Sequence, residues 1–442
     1  MNDRSAHRPV FVIVGLLVLA LLAGLLAWRL VARHRLESAR EDFQATVEDL
    51  HLSLGHPPGV PQEDNAARWL RAAAALVEGE CIDAAVRPLG SRSTGTWTAA
   101  EVKAARQCLE ANREVLDLLH RAARCPGSDW GLEYSLDAEI PPLLDLLRCA
   151  RLLAVSGGLH LEGGDPQAAL GDMTALATLA RSLEVEKQLI CPLIGVAMER
   201  LLLGLVGEAA ARGGVGPEEA ASIEALLPRR DLIAAGREAL AVETTMLAAA
   251  FLDPDSGSLK ESGLEPDTAW GTVAVTVGSA LGIPWREILV ADLYRMGIQR
   301  LEVMGIPYAH LADAPPRRMS HSFPVNLVVP EEVFGGFNTH VLAGRMQETM
   351  AWRHLVRAGL ALIREAGSTG SYPEVLPPGF EVPQLYCECS LELEHGPDGS
   401  AVLFLPGAPE LSAKLWPWPE NAPPRSFRWE LPPPAGGKGV KR

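Results

Sequence analysis

The chain is short of positive charge: 40 Lys and Arg stand against 55 Asp and Glu over 442 residues, a formal net charge of −15. That balance excludes a general nucleic-acid binder, because phosphate binding needs clustered Lys and Arg to release counterions. Cysteine is also scarce. The seven scattered residues are too few for a disulfide framework, and the odd count leaves one unpaired. Charged residues make up only 21% of the chain, with Gly and Pro at ordinary levels, which excludes a disordered or collagen-like chain. Catalytic motifs are missing too: no G-x-S-x-G, H-E-x-x-H, G-x-x-x-x-G-K-[ST], or G-x-G-x-x-G between strand and helix occurs. What the chain does have is length, enough for two or three domains and a sizeable core.

It also has one long apolar run. Val10 to Trp28 is 19 apolar or small residues without interruption. At 1.5 Å per residue a helix there spans about 28 Å, close to the hydrocarbon thickness of a bilayer. Trp28 stands at an interfacial position, followed by Arg29, Arg33 and Arg35. A cleaved signal peptide would have a shorter run and an A-x-A-like site; Leu25-Leu26-Ala27 fits that poorly. The expectation is therefore an uncleaved single-pass anchor, in contact with membrane lipid through Val10–Trp28. Its orientation is open. Arg4 and Arg8 precede the span and Arg29, Arg33, Arg35 and Arg40 follow it, a count that leans toward a cytoplasmic body, while the free amine narrows the difference. Residues 41–442 hold 34 Lys and Arg against 53 Asp and Glu, so the body should project from anionic headgroups rather than lie on them.

From Glu37 the pattern is helix after helix. One continues from the membrane to Leu54 and ends at His56-Pro57-Pro58-Gly59. Asp64-Asn65 caps a short helix with Trp69, Leu70, Ala73 and Leu76 on one side. Thr98 and Glu101 form a capping box opening a helix of roughly 25 residues that ends near Cys125-Pro126-Gly127. Further helices start at Pro141-Pro142, at Asp165-Pro166 (through Leu183), at Gln188 (to Arg212), at Pro217 and at Ile233 (to Leu252). Short connections make such neighbours antiparallel. Gly157 and Ala169 stand 12 apart across Gly163-Gly164, the spacing of small contact residues in a tetratricopeptide-like pair. The array is therefore read as tetratricopeptide-like or as an irregular bundle.

Residues 253–271 are polar and rich in Gly and Pro, and Thr272–Ile283 is an apolar run too short to span a bilayer. Helices follow from Pro284 to about Met304 and from Asn338 to Ala366, with a loop-like stretch from Pro307 to Pro330 between them. The last part changes character, with 14 of the 34 prolines in residues 373–434. Leu385, Cys387, Cys389, Leu391 and Leu393 alternate with polar residues, His395–Gly399 is a turn, and Ala401–Leu405 and Phe427, Trp429 and Leu431 repeat the alternation. This predicts a small antiparallel β unit, too small to bury much by itself, docked on the preceding long helix.

Few residues suggest chemistry. Cys387 and Cys389 share a strand face but have no second ligand pair, and core packing explains them and Cys81, Cys108, Cys125, Cys149 and Cys191. His340 and His354 lie about 21 Å apart on one helix, which excludes a shared metal. His310 and His321 flank Pro315-Pro316-Arg317-Arg318, an anion site or a solvated loop. Glu184 and Glu186 beside Lys187 are either paired carboxylates or the charged end of a helix. Trp416-Pro417-Trp418-Pro419 suits a partner groove, a bilayer interface or the β unit's own core.

Several segments together resemble a family of uncharacterised bacterial membrane-anchored proteins: Asp64-Asn65-Ala66-Ala67, Trp130–Ser135, Leu161–Ala169, Pro192-Leu193-Ile194 and Tyr372–Leu376. The resemblance covers most of residues 60–410. It implies an N-terminal anchor, a tetratricopeptide-like helical body and a terminal β-hairpin unit, with no catalytic residue to carry over. The family's Asp-Pro-Phe-like turn, reminiscent of pseudopilin tails, is replaced here by Glu381-Val382-Pro383-Gln384, which argues against a pilin-like role.

The sequence thus predicts a mainly α protein in six parts: tail and anchor (1–36), helical body (37–252), linker and apolar segment (253–283), a second helical part (284–370), a Pro-rich β unit (371–434) and a tail (435–442). No catalytic, cofactor-binding or metal-ligating residue is assigned, and no cofactor. The expected role is a membrane-anchored helical scaffold or interaction module with protein partners and no nucleic acid. The alternatives are an envelope hydrolase or a component of a secretion or pilus apparatus.

Overall fold

Forty-two residues, Arg8–Asp49, form one unbroken helix, α1, which carries the apolar run straight into the body. The computed structural model describes residues 8–82, 97–135, 138–253, 284–311, 339–377, 390–405 and 428–434. Along the first half of α1 the apolar side chains from Val12 to Val31 are exposed, with Leu25 and Trp28 partly covered. The second half buries Ala32, Ala39, Phe43 and Val47, a spacing of seven, four and four that keeps them on one face.

The body follows as α2 (Ala67–Leu76), α3 (Ala99–Ala111), α4 (Arg113–Ala122), α5 (Leu143–Glu162), α6 (Pro166–Glu184), α7 (Ile190–Ala211), α8 (Pro217–Leu226), α9 (Leu232–Leu252), α10 (Trp285–Met304), the short α11 (Tyr308–Leu311) and α12 (Thr339–Thr369). The stop and start signals act as the sequence predicts. Thr98 and Glu101 close a capping box on α3, Asp165 caps α6 ahead of Pro166, and Pro217 opens α8. α5, α6 and α7 pack pairwise on one another, α1 seats on α10, α10 on α9, and α12 crosses α7, α8, α9 and α10. Ring contact between Phe43 and Tyr294, 5.2 Å between centroids, marks the α1–α10 seam.

Three details differ from expectation. The predicted 25-residue helix is broken between α3 and α4 at Asn112, which is 1% exposed. Its side chain donates to the Cys108 carbonyl at 3.0 Å and accepts from the Glu78 amide at 2.8 Å, competing with the helix ladder. In α2, Leu70, Ala73 and Ala74 are buried, while Leu76 is exposed. Gly157 does not serve the α5–α6 contact. A Cβ there would stand 2.6 Å from Leu205 of α7, so its smallness admits the third helix of the set.

The predicted strands survive as β1 (Glu392–His395), β2 (Ala401–Phe404) and β3 (Arg428–Leu431), an antiparallel sheet in the order β1-β2-β3. Leu403 faces both Leu393 and Trp429 across the ladders, and Ala401 faces Leu431. Leu391, Ala401, Leu403, Trp429 and Leu431 are buried because the sheet lies against α12 and α7. The approach is so close that a Cβ on Gly359 of α12 would fall 1.9 Å from Trp429. Tyr372 adds a hydrogen bond to the Pro432 carbonyl at 2.7 Å. The docking on the long helix is thus present, made by Leu391, Ala401, Leu403, Trp429 and Leu431 among the described residues; Leu385, Cys387 and Cys389 lie outside the described residues, as do Thr272–Ile283.

Candidate functional site

Two histidines close on one buried carboxylate where α4, α5 and α6 meet. Asp172 of α6 is 1% exposed. His120 Nε2 from α4 lies 3.1 Å from Asp172 Oδ1, and His160 Nδ1 from α5 lies 3.0 Å from Oδ2. Burial works to raise the Asp172 pKa, but the bonds from His120 and His160 outweigh it and hold the group below its ordinary value. The bond to Asp172 in turn raises His160 against its own desolvation. Both rings are about 40% exposed (38% and 41%). They form one wall of an open hollow of about 420 Å³ that also takes in Arg124, Gly171 and Thr174.

The chemistry available there is that of an imidazole oriented by a carboxylate, able to take up or release a proton near neutrality. Among the described residues no serine or cysteine lines the hollow, and the Thr174 hydroxyl is bonded to the Leu170 carbonyl at 2.8 Å. Among the described residues no three His, Cys, Asp or Glu side chains surround a point where a metal ion could sit.

The sequence reading missed this cluster. One signal was present: His160 and Asp172 are 12 apart across Gly163-Gly164, one turn beyond Gly157 and Ala169, so a helical hairpin brings them face to face. His120 comes from a helix distant in sequence and carried no local signal.

The pair Glu184 and Glu186 with Lys187 is not a solvated helix end, although Glu186 also lines a hollow with His56 and Asp129. All three are buried, as is Gln188, and they knit the α6–α7 corner to distant loops. Glu186 accepts from the Trp130 amide at 3.3 Å, Lys187 donates to the Ser53 carbonyl at 2.7 Å, and Gln188 donates to the Glu133 carbonyl at 3.3 Å. Trp130, itself 2% exposed, donates its ring N–H to the Ser182 carbonyl at 2.9 Å. Next to this corner Arg353 of α12 holds Glu199 of α7 through two bonds of 2.6 and 2.7 Å. Burial, then repulsion from Glu199, pushes the Glu184 carboxyl up to about 7, against the pull of Arg353 and Arg230.

The remaining sequence candidates do not converge. His340 and His354 lie well separated on α12, and His354 is held below its ordinary value by burial and by Arg357 and Arg353. Cys149 and Cys191 are buried thiols pushed up to about 12, chiefly by desolvation, which suits packing rather than nucleophilic work. Cys81 and Cys108, expected as separate core residues, are joined in a disulfide. His321, Arg317, Arg318, Cys387, Cys389, Trp416 and Trp418 lie outside the described residues.

No protein-family model matches the chain, and neither a curated protein nor a solved structure matches it.

Proposed function

We propose that the protein is a single-pass membrane-anchored helical scaffold whose body presents binding surfaces to protein partners. The observation that carries this reading is α1. A helix with an exposed apolar half and a half seated on α10 joins membrane and body without a hinge, holding the body at a fixed attitude to the bilayer. A tethered enzyme has no need of that stiffness; a platform that presents surfaces in register does. The stacked α5–α6–α7 set is of the kind that helical-repeat scaffolds use, and the segments resembling a bacterial anchored family fall mostly on the faces and corners of this stack.

Carbonate-washed membranes should retain the full-length chain, and deletion of residues 1–36 should release it. Crosslinking in intact membranes followed by detergent extraction should give a stoichiometric heteromeric species. Full-length protein washed off by carbonate, or a chain that stays uncrosslinked and alone, overturns the reading. An envelope hydrolase is a second reading resting on one observation, the two histidines on Asp172. It requires hydrolytic turnover by the purified chain that Asp172→Asn abolishes.

A further inference from the structure

We propose that the body lies on the oxidising side of the membrane, where Cys81 and Cys108 form a permanent structural disulfide. The inference rests on the anchored reading above and adds the side, which the arginine count leaves open. The two cysteines are 27 residues apart in sequence, with Cα atoms 5.5 Å apart, within the range a bridge spans without moving the backbone.

The surroundings fit a bonded pair. Asn112 is buried, and its Nδ2 lies 3.4 Å from Cys81 Sγ, 3.9 Å from Cys108 Sγ and 3.0 Å from the Cys108 carbonyl. The amide's two N–H groups are shared among the Cys108 carbonyl and the two sulfurs, an arrangement compatible with a disulfide, whose sulfurs accept and do not donate. The bond also supplies what α3 lacks. Among the described helices it packs chiefly on α5 and α4. Its own small cluster is Ala105 on Val155, flanked by Trp97, Leu109 and Leu159. With so narrow an apolar contact, a covalent tie to the segment after α2 fixes its position.

Such bonds persist in oxidising compartments, whereas cytosolic reductants keep thiols free. The arginine count leans weakly the other way. Two arginines and the terminal amine precede the span and four arginines follow it, a near balance, and large domains cross membranes largely regardless of charge.

The test traps thiols in living cells with acid, separates membranes from soluble protein, then alkylates and digests the denatured full-length chain with trypsin without reduction. The expected result is the peptide Gln107–Arg113 recovered mainly linked to the peptide carrying Cys81, the link being lost on adding dithiothreitol. Protease added outside intact cells stripped of any outer layer should degrade the body and leave a fragment with Val10–Trp28. Separately alkylated Cys81 and Cys108 peptides from the membrane-bound chain overturn the proposal, as does a body protected until the cells are lysed. A chain recovered in the soluble fraction overturns the anchor instead, and the linked or unlinked peptides still report its compartment.

Discussion

Among the described residues two helices are long and apolar enough to cross a bilayer, α1 and α7, and they meet opposite fates. None of the most apolar stretch of α1 is buried in the protein, whereas more than half of that of α7 is. The difference lies in what else each carries. Val10 to Trp28 holds no charge, so α1 offers nothing that protein would satisfy better than lipid. α7 carries Glu199, 0% exposed, in the middle of its apolar length, and that carboxylate requires the Arg353 fork from α12. A helix that is apolar all round is buried in something; an internal charge with a built partner says that the something is protein.

The sharpest way to break the comparison is to remove that partner. Arg353→Ala leaves Glu199 buried without its counter-charge and also loses the bond from Arg353 to the Arg230 carbonyl, 2.6 Å. The expected cost is about 3–5 kcal/mol, read as a lowered thermal midpoint of the detergent-solubilised chain. A loss under about 1 kcal/mol would mean that α7 does not depend on the pair.

The converse change acts on α1. Leu19 is 66% exposed, so Leu19→Arg should leave the unfolding of the body unchanged. Membrane insertion should suffer by about 2.5–3.5 kcal/mol, read as chain lost to the supernatant of a carbonate wash. If instead the body is destabilised, the first half of α1 packs on protein and the contrast with α7 fails.

These two helices also show what the sequence makes legible. Uninterrupted apolar length marked α1, and caps, prolines and glycines marked the ends of most body helices, because those signals are local. The alternation at Leu391–Leu393, Ala401–Leu405 and Trp429–Leu431 marked the sheet for the same reason. What stayed hidden was long-range pairing. Glu199 with Arg353 and His120 with Asp172 join residues whose neighbours in sequence give no hint of each other. Glu184–Gln188 reads as a wet helix end because charge normally lies outside, and only the loops at Ser53, Trp130 and Glu133 make its burial tolerable. Asn112 broke a helix that its own periodicity would have continued, since its side-chain partners come from Glu78 as well as from the helix.

The sheet gives a prediction of intermediate size. Gly359→Ala places a methyl group into the ring of Trp429 and should cost about 1–3 kcal/mol through overpacking. Gly204→Ala on α7, where a Cβ meets nothing within 4 Å, is the control and should be neutral or stabilising by about 0.5–1 kcal/mol. Equal effects of the two changes would show that the sheet does not rest on α12.

A smaller effect follows from Glu184, whose carboxyl sits at about 7 against an ordinary 4.5. A raised folded value means that its favourable contribution is complete below about pH 4.5 and is lost as pH rises through about 7. Glu184→Gln cannot ionise, so the variant should lose less stability than the parent between those limits. Parallel pH–stability curves for the two would place the ionised carboxylate comfortably in the core, and burial and Glu199 would then not be raising it.

The smallest expected effect belongs to the hollow at α4, α5 and α6. His160 is raised by its bond to Asp172, so its contribution is complete below its ordinary value of 6.5 and fades as pH rises through the higher folded value. Asp172 is lowered despite its burial, so its contribution is complete above its ordinary 3.8 and fades as pH falls through the lower folded value. The clamp is therefore tightest between pH 3.8 and pH 6.5, where both contributions are complete. His160 is 41% exposed, so solvent screening limits its part to about 0.5 kcal/mol, too little to move a melting curve far. The direct readout is the titration of the His160 ring by NMR. In the parent its midpoint should lie above 6.5, and in Asp172→Asn it should fall back toward that value, because the asparagine amide cannot favour the imidazolium as a carboxylate does. A parent His160 that already titrates at 6.5 would mean that ring and carboxylate do not share a charged bond, leaving Asp172 an acid buried beside His120 and Ser156 alone.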